Sequence, residues 1–189
     1  IRMAFGVLVD PLVETFGWSP GSIGLAYALM SIVTALSSPI AGYLGNRFGA
    51  RNTMLAGTIL FFIGMMWTSQ TQAIWELYIS YGLIFGISQA MLLVPVVPAV
   101  AAWFRRHLGL GTGIMMVSWS LGPALVVQIL AVLFDTVGWS QAFMLVGIIG
   151  TAILLFILLF FRNTPEEAGR QAYGIKAADK PLITSGNIF

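Results

Sequence analysis

The sequence predicts an all-α integral membrane protein in which six transmembrane helices form one bundle. Three observations carry that prediction. Only 8% of the 189 residues are charged and 58% are hydrophobic, whereas a soluble domain carries about a quarter charged residues; the charges are too few to coat a water-facing surface. The apolar residues gather in runs of about twenty, the length at which a helix rising ~1.5 Å per residue crosses a ~30 Å hydrocarbon core. The connections between runs are short, which leaves helices as the elements able to satisfy every backbone group inside lipid. The chain contains no cysteine, which excludes disulfides, zinc–thiolate sites and thiol chemistry.

The first span, 1–16, measures roughly 24 Å as a helix, less than a bilayer needs. Together with an isoleucine at position 1, this predicts a first helix truncated at its N-terminus. No cleavage-site pattern follows it, so it does not read as a signal peptide. The second and third spans are 21–44 and 52–69. The fourth, 75–104, is unusually long and contains Pro95 and Pro98, so a tilt or kink is expected there. The fifth and sixth are 109–134 and 140–161. They complete a bundle over 1–162, followed by a polar tail, 163–189.

Charge orients the bundle. The connections after the second and fourth spans, with the tail, hold Arg47, Arg51, Arg105, Arg106, Arg162, Arg170, Lys176 and Lys180. The other three connections hold Glu14, Glu76 and Asp135 and no basic residue. Basic residues concentrate on the cytoplasmic side of membrane proteins, so both chain ends are expected in the cytoplasm. The net charge of +2 follows from this asymmetry and calls for no nucleic-acid partner.

The tripeptide Gly-Trp-Ser occurs at 17–19 and again at 138–140, each time just before a span re-enters the membrane on the outer face. Gly17 and Gly138 permit the reversal. Trp18 and Trp139 suit the headgroup level. Ser19 and Ser140 are expected N-caps, with Pro20 at the first helical position. Small residues four apart, Gly82, Gly86 and Ala90 on the fourth span and Gly24 and Ala28 on the second, predict close helix approach.

Ionisable groups at membrane depth are the first place to look for function. Arg2 lies ~21 Å below the outer interface by residue count. It either pairs with a substrate carboxylate through a forked hydrogen bond or snorkels to the inner headgroups. Asp10, ~9 Å from the outer interface, is a candidate proton-coupling carboxylate or lines a hydrated outer vestibule. Tyr27, Ser31, Gln89, Ser118 and Gln128 face the cavity or bond to neighbouring helices. His107 reads as a solvated inner-face residue. No nucleophile–base set, carboxylate pair or metal-ligand cluster is present, so no enzyme activity, cofactor or metal is expected.

The stretch "GYLGNRFGARNTMLAG", residues 42–57, narrows the reading. Its spacing, Gly42-x-x-x-Asn46-Arg47-x-Gly49-x-Arg51, resembles the signature loop of the major facilitator superfamily of transporters, G-x-x-x-D-R-x-G-R-[RK]. Asn46 stands where the family has Asp, and Ala50 where it usually has Arg. "SWSLGPALV" resembles the family's Gly-Pro motif, with Gly122-Pro123 kinking the fifth helix. "WFRRHLGLGTG" resembles its W-F-P-x-R-R-G-x-A-x-G stretch, with Arg105 and Leu108 replacing the proline and the last arginine. The arginine that many members carry inside helix four is absent, and Tyr81 or a neighbour stands in its place. "FGVLVDPLVETFGWS" and "RNTPEEAG" are similar to the branch of monocarboxylate porters and oxalate/formate antiporters.

The resemblance implies the N-terminal half of a twelve-helix secondary transporter, built as two inverted three-helix repeats. The tail would link it to a missing C-terminal six-helix half. Such a protein moves a small organic anion, for instance a monocarboxylate, by alternating access, coupled to H+ or to exchange, across a bacterial inner or plasma membrane. Arg2 then contributes the basic residue that related porters use on helix one. Gly42, Asn46, Arg47, Gly49 and Arg51 form a cytoplasmic gate, with Asn46 accepting a hydrogen bond but bringing no charge, hence a weaker latch. The alternatives are transport of another small solute, a six-helix channel, or a membrane scaffold that transports nothing.

Overall fold

The computed structural model describes residues 5–104 and 108–162. In it the chain runs as α1 (Phe5–Phe16), α2 (Pro20–Phe48), α3 (Ala50–Ser69), α4 (Ile74–Leu77), a π-helical segment (Tyr78–Ile84), α5 (Phe85–Leu93), α6 (Val96–Trp103), α7 (Leu108–Val137) and α8 (Trp139–Phe160). The segments from α4 to α6 make one rod, so the described residues form six rods. Five of these, over Pro20–Phe48, Ala50–Ser69, Ile74–Ala101, Leu108–Phe134 and Trp139–Phe160, are long and apolar enough to cross a membrane. Their outer surfaces are apolar as well: Leu36 is 71% and Phe160 72% exposed, a surface suited to lipid and not to water.

Local chemistry places the turns. Ser19 caps α2 by accepting a hydrogen bond from the Ser22 amide at 3.1 Å, and Pro20 sits where its missing N–H costs nothing. Helix α2 runs to Phe48, four residues past the expected 44, because nothing stops it until Gly49 adopts φ 85° and turns the chain into α3. Glu76 lies in the first turn of α4, where its carboxylate accepts from the amides of Gln72 and Ala73 at 2.8 and 3.4 Å. A carboxylate at a helix start is favourable. The long fourth rod breaks as expected, with a turn at Val94–Pro95 between α5 and α6. Helix α7 passes through Gly122 and Pro123 with its helical backbone uninterrupted. The π-helical segment was not foreseen from the sequence.

Rods α2, α3, α5 and α8 pack into the centre, with α3 against both α5 and α8 and α2 against α5 and the π segment. Ile23, Ala26 and Met30 of α2 meet Phe61 and Met65 of α3, Tyr81 and Phe85 of the fourth rod, Phe143 of α8 and Leu12 of α1. Tyr81 stacks on Phe85 at 5.1 Å between ring centroids. Close approach is concentrated at glycines. A Cβ at Gly86 would lie 3.0 Å from the Met30 carbonyl oxygen and 3.0 Å from Val33, and one at Gly57 would lie 3.0 Å from Met91.

Hydroxyl hydrogen bonds bridge the rods at these same points. Ser88 donates to the Gly57 carbonyl at 2.9 Å, Thr34 to the Gly86 carbonyl at 3.0 Å, and Tyr78 to the Ser22 carbonyl at 3.1 Å. The Thr68 and Ser80 hydroxyls meet at 3.1 Å. Interhelical bonds of this kind contribute about 0.6 kcal/mol each inside lipid. Ser88→Ala is therefore expected to lower stability by about 0.5–1 kcal/mol, more if the bare Gly57 carbonyl finds no new donor. A thermal melt in detergent showing no loss would mean the bond is replaced within α3.

Two expectations need correction. Ser140 is not the N-cap of α8: Gly138, at φ 82°, holds that place, and the Ser140 hydroxyl donates to the Ser69 carbonyl on α3. A cross-helix acceptor outcompetes a local cap here because α8 starts against the end of α3. Gly24 and Ala28 take no part in close packing within the bundle. Both are exposed, and a Cβ on Gly24 would meet nothing within 4 Å, because α2 turns its opposite face, Ile23, Ala26 and Met30, inward. The Gly82–Gly86–Ala90 set is buried as expected.

Candidate functional site

The two ends of the bundle differ chemically. At one end Phe16 stacks on Trp18 at 4.4 Å and meets Trp139 edge-on at 5.7 Å. The two Gly-Trp-Ser turns thus converge on a single phenyl ring, tying the end of α1 to the starts of α2 and α8. The Ser140–Ser69 bond and the Glu76 cap lie at this end too. The opposite end holds the α2–α3 turn with Arg47 and Arg51. There the Trp103 indole donates to the Arg162 carbonyl at 3.4 Å, joining the ends of α6 and α8. The described arginines therefore cluster opposite Trp139, as the charge pattern of the sequence requires.

At the α2–α3 turn, helix geometry puts Tyr43, Asn46 and Arg47 on one exposed face, three and four residues apart. Arg47 donates from Nη1 to the Tyr43 hydroxyl at 2.8 Å. Its guanidinium carbon lies 6.0 Å from the Tyr43 ring centre and 5.5 Å from that of Phe48. Arg51 is half-buried. Gly42 and Gly45 abut the break in the fourth rod: Cβ atoms there would lie 3.7 Å from Val94 and 3.6 Å from Pro95. The signature turn is thus seated on the kink at Val94–Pro95. Tyr43 was missed as a member of this group, although an aromatic residue four before an arginine on a helix is a readable signal.

The candidate substrate residues are dispersed. Arg2 lies outside the described residues, as do Arg105, Arg106, His107 and the tail from 163. Asp10 is exposed on α1, on the same face as Glu14 one turn later. Tyr27 is half-buried against the core, and Ser31, one turn on, donates its proton to the Tyr27 carbonyl at 3.0 Å. Gln89 is half-buried on α5, and Gln128 and Gly122 are exposed on α7.

A cleft of about 310 Å³ opens between α6 and α7, walled by Val96, Val100, Phe104, Gly111, Ile114, Met115, Ser118 and Trp119. Tyr27, Ser31, Gln89 and Gln128 are not among its walls. Its hydroxyl, that of Ser118, is bonded to the Ile114 carbonyl at 2.9 Å. The cleft suits an apolar body and offers no charge. Gly111 makes room for it, since a Cβ there would press on the Phe104 ring at 2.9 Å. Among the described residues no group of three or more His, Cys, Asp or Glu is placed to hold a metal ion.

Comparison with known proteins completes the picture. Residues 1–186 match the family model described as Major Facilitator Superfamily. The MFS-type transporter pynF of Aspergillus niger is 25% identical over 168 residues, 88% of this chain and 39% of that protein. Monocarboxylate transporter 7 of Homo sapiens is 25% identical over 156 residues, 82% of this chain and 30% of that protein. The inward open conformation of the xylose transporter XylE from E. coli superposes with a TM-score of 0.72 at 21% identity, covering 87% of this chain and 45% of that one; at that identity the likeness concerns the fold. The chain spans less than half the length of each of these proteins.

Proposed function

The chain belongs to the Major Facilitator Superfamily, and on that premise we propose that it supplies one bundle of a secondary transporter for a small organic anion, a monocarboxylate in the first instance. The match over residues 1–186 carries the transport reading. The name of a relative, monocarboxylate transporter 7, and the cation at Arg2 support the anion.

A second six-helix bundle completes the cavity, reached through the tail 163–189. The outward face of α2 supports this. Gly21, Gly24, Ala28 and Ala35 lie exposed along it, and small residues let another helix come close where lipid gives no hydrophobic driving force. The end bearing Arg47, Arg51 and Arg162 faces the cytoplasm in this reading, and the turn 42–51 gates the path there.

The test is uptake by the complete protein in proteoliposomes, with labelled lactate, pyruvate, formate and oxalate. Proton coupling is read by imposing a pH gradient, exchange by preloading unlabelled anion. Transport of none of the four, with or without either driving force, would remove the anion reading. Asp10→Asn is expected to abolish about tenfold stimulation by the gradient and to leave exchange intact, because an amide in that place carries no proton across. Stimulation that persists in that variant excludes Asp10 from coupling.

A further inference from the structure

We propose that Tyr43 is the positioning residue for Arg47, supplying through its hydroxyl the restraint that Asn46, lacking a carboxylate, does not provide. The inference rests on the reading of the 42–51 turn as a gate. Arg47 is held from two sides at once: its Nη1 donates to the Tyr43 hydroxyl at 2.8 Å, and its guanidinium carbon lies 5.5 Å from the centre of the Phe48 ring. The four-residue spacing of Tyr43 and Arg47 sets the two side chains one above the other on α2. A planar guanidinium accepts both constraints together, which a lysine ammonium does not.

The chemical consequence distinguishes Tyr43 from an acid. A carboxylate one residue away would also orient Arg47 but, at this exposed and water-screened position, would offset part of its charge. A phenol orients it and leaves the full positive charge in place. Tyr43 is 58% and Phe48 55% exposed, so the held cation is presented outward from the end of α2. The helix's own negative end favours a cation there. The partner it suits is an anionic group, a carboxylate or a helix C-terminus, on the second bundle when the cytoplasmic side closes.

The experiment reads gate opening without needing the substrate. The 189 residues contain no cysteine, so Ser38→Cys places a thiol on α2 about 15 Å from its end, with any downstream cysteines of the complete protein replaced. Its reaction with a membrane-impermeant maleimide is followed in inside-out vesicles. Tyr43→Leu is expected to raise the labelling rate about three- to tenfold, and Tyr43→Phe, which removes the hydroxyl alone, by a similar factor. Adding Asn46→Asp to Tyr43→Leu should return the rate to within about twofold of the parent, because a carboxylate then restrains Arg47 instead.

A rise that Asn46→Asp does not reverse overturns the proposal, since lost packing alone would behave so; no rise in Tyr43→Leu overturns it equally. If Tyr43→Leu does not reach the membrane, Tyr43→Phe and its Asn46→Asp double variant decide in the same way. Arg47→Ala separates the two levels. If it labels like the parent, the gate itself is wrong and the proposal falls with it. If it labels faster while Tyr43→Leu does not, the gate stands and Tyr43 alone is removed.

Discussion

Gly86→Leu is expected to unfold the bundle well before any change on its outer faces does. A Cβ at this position already lies 3.0 Å from the Met30 carbonyl oxygen and from Val33 Cβ and Cγ1. The first is backbone and the second is fixed to it, so neither can swing aside as the end of a long side chain does. The Gly86 carbonyl also accepts the Thr34 hydroxyl at 3.0 Å, and separating α5 from α2 breaks that bond as well. Overpacking of a close contact costs up to ~3 kcal/mol, which lowers the melting midpoint by on the order of 10 °C for a chain of this size.

Gly24→Leu is the matched control. It introduces the same side chain on α2 where a Cβ meets nothing within 4 Å, and it should leave the melting of this bundle unchanged. In the complete protein it should instead weaken docking of the second bundle, seen as lost uptake with normal expression. Equal melting losses in the two variants would refute the assignment of inner and outer faces of α2.

Arg2→Ala is expected to reduce uptake of a transported monocarboxylate by on the order of a hundredfold. A carboxylate that enters the middle of a ~30 Å hydrocarbon layer loses its water, and only a matched cation restores the balance. Taking away one partner of a buried ion pair leaves the other charge uncompensated, at a cost of about 3–5 kcal/mol, which corresponds to roughly 10²–10⁴ in affinity. Arg2→Lys keeps the charge but loses the two-pronged geometry, and should retain about a tenth of the activity. If Arg2 instead snorkels to the inner headgroups, Arg2→Ala transports normally, and the anion site must be sought elsewhere.

The sequence was most informative where a single residue sets the local outcome. Ser19 and Pro20 begin α2 and Pro95 breaks the fourth rod at the expected places, while Gly49 ends α2 four residues beyond the expected 44. Each follows from a conformational restriction carried by that residue alone. The candidate site was much less legible. Ser31 spends its proton on the Tyr27 carbonyl, and Ser140 reaches Ser69 instead of its own helix end. Such outcomes depend on which acceptor arrives nearby in three dimensions. The α6–α7 cleft left little trace either, since its walls are ordinary apolar residues and only Gly111, beneath the Phe104 ring, marks it.

By itself, then, the sequence determined that the chain is a bundle of apolar helices, about where along it the rods lie, and which end carries the arginines. Hydropathy, chain length and charge add up residue by residue and need no partner to be read. Only the tertiary structure decided which face of each rod turns inward: Gly86 against Met30 but Gly24 outward, Tyr81 buried under Phe85, Arg47 laid against Tyr43. In water an apolar stripe would have announced the inner face. In lipid the surroundings are as apolar as the core, so both faces of a helix carry the same kinds of residues, and shape and hydrogen bonding choose between them.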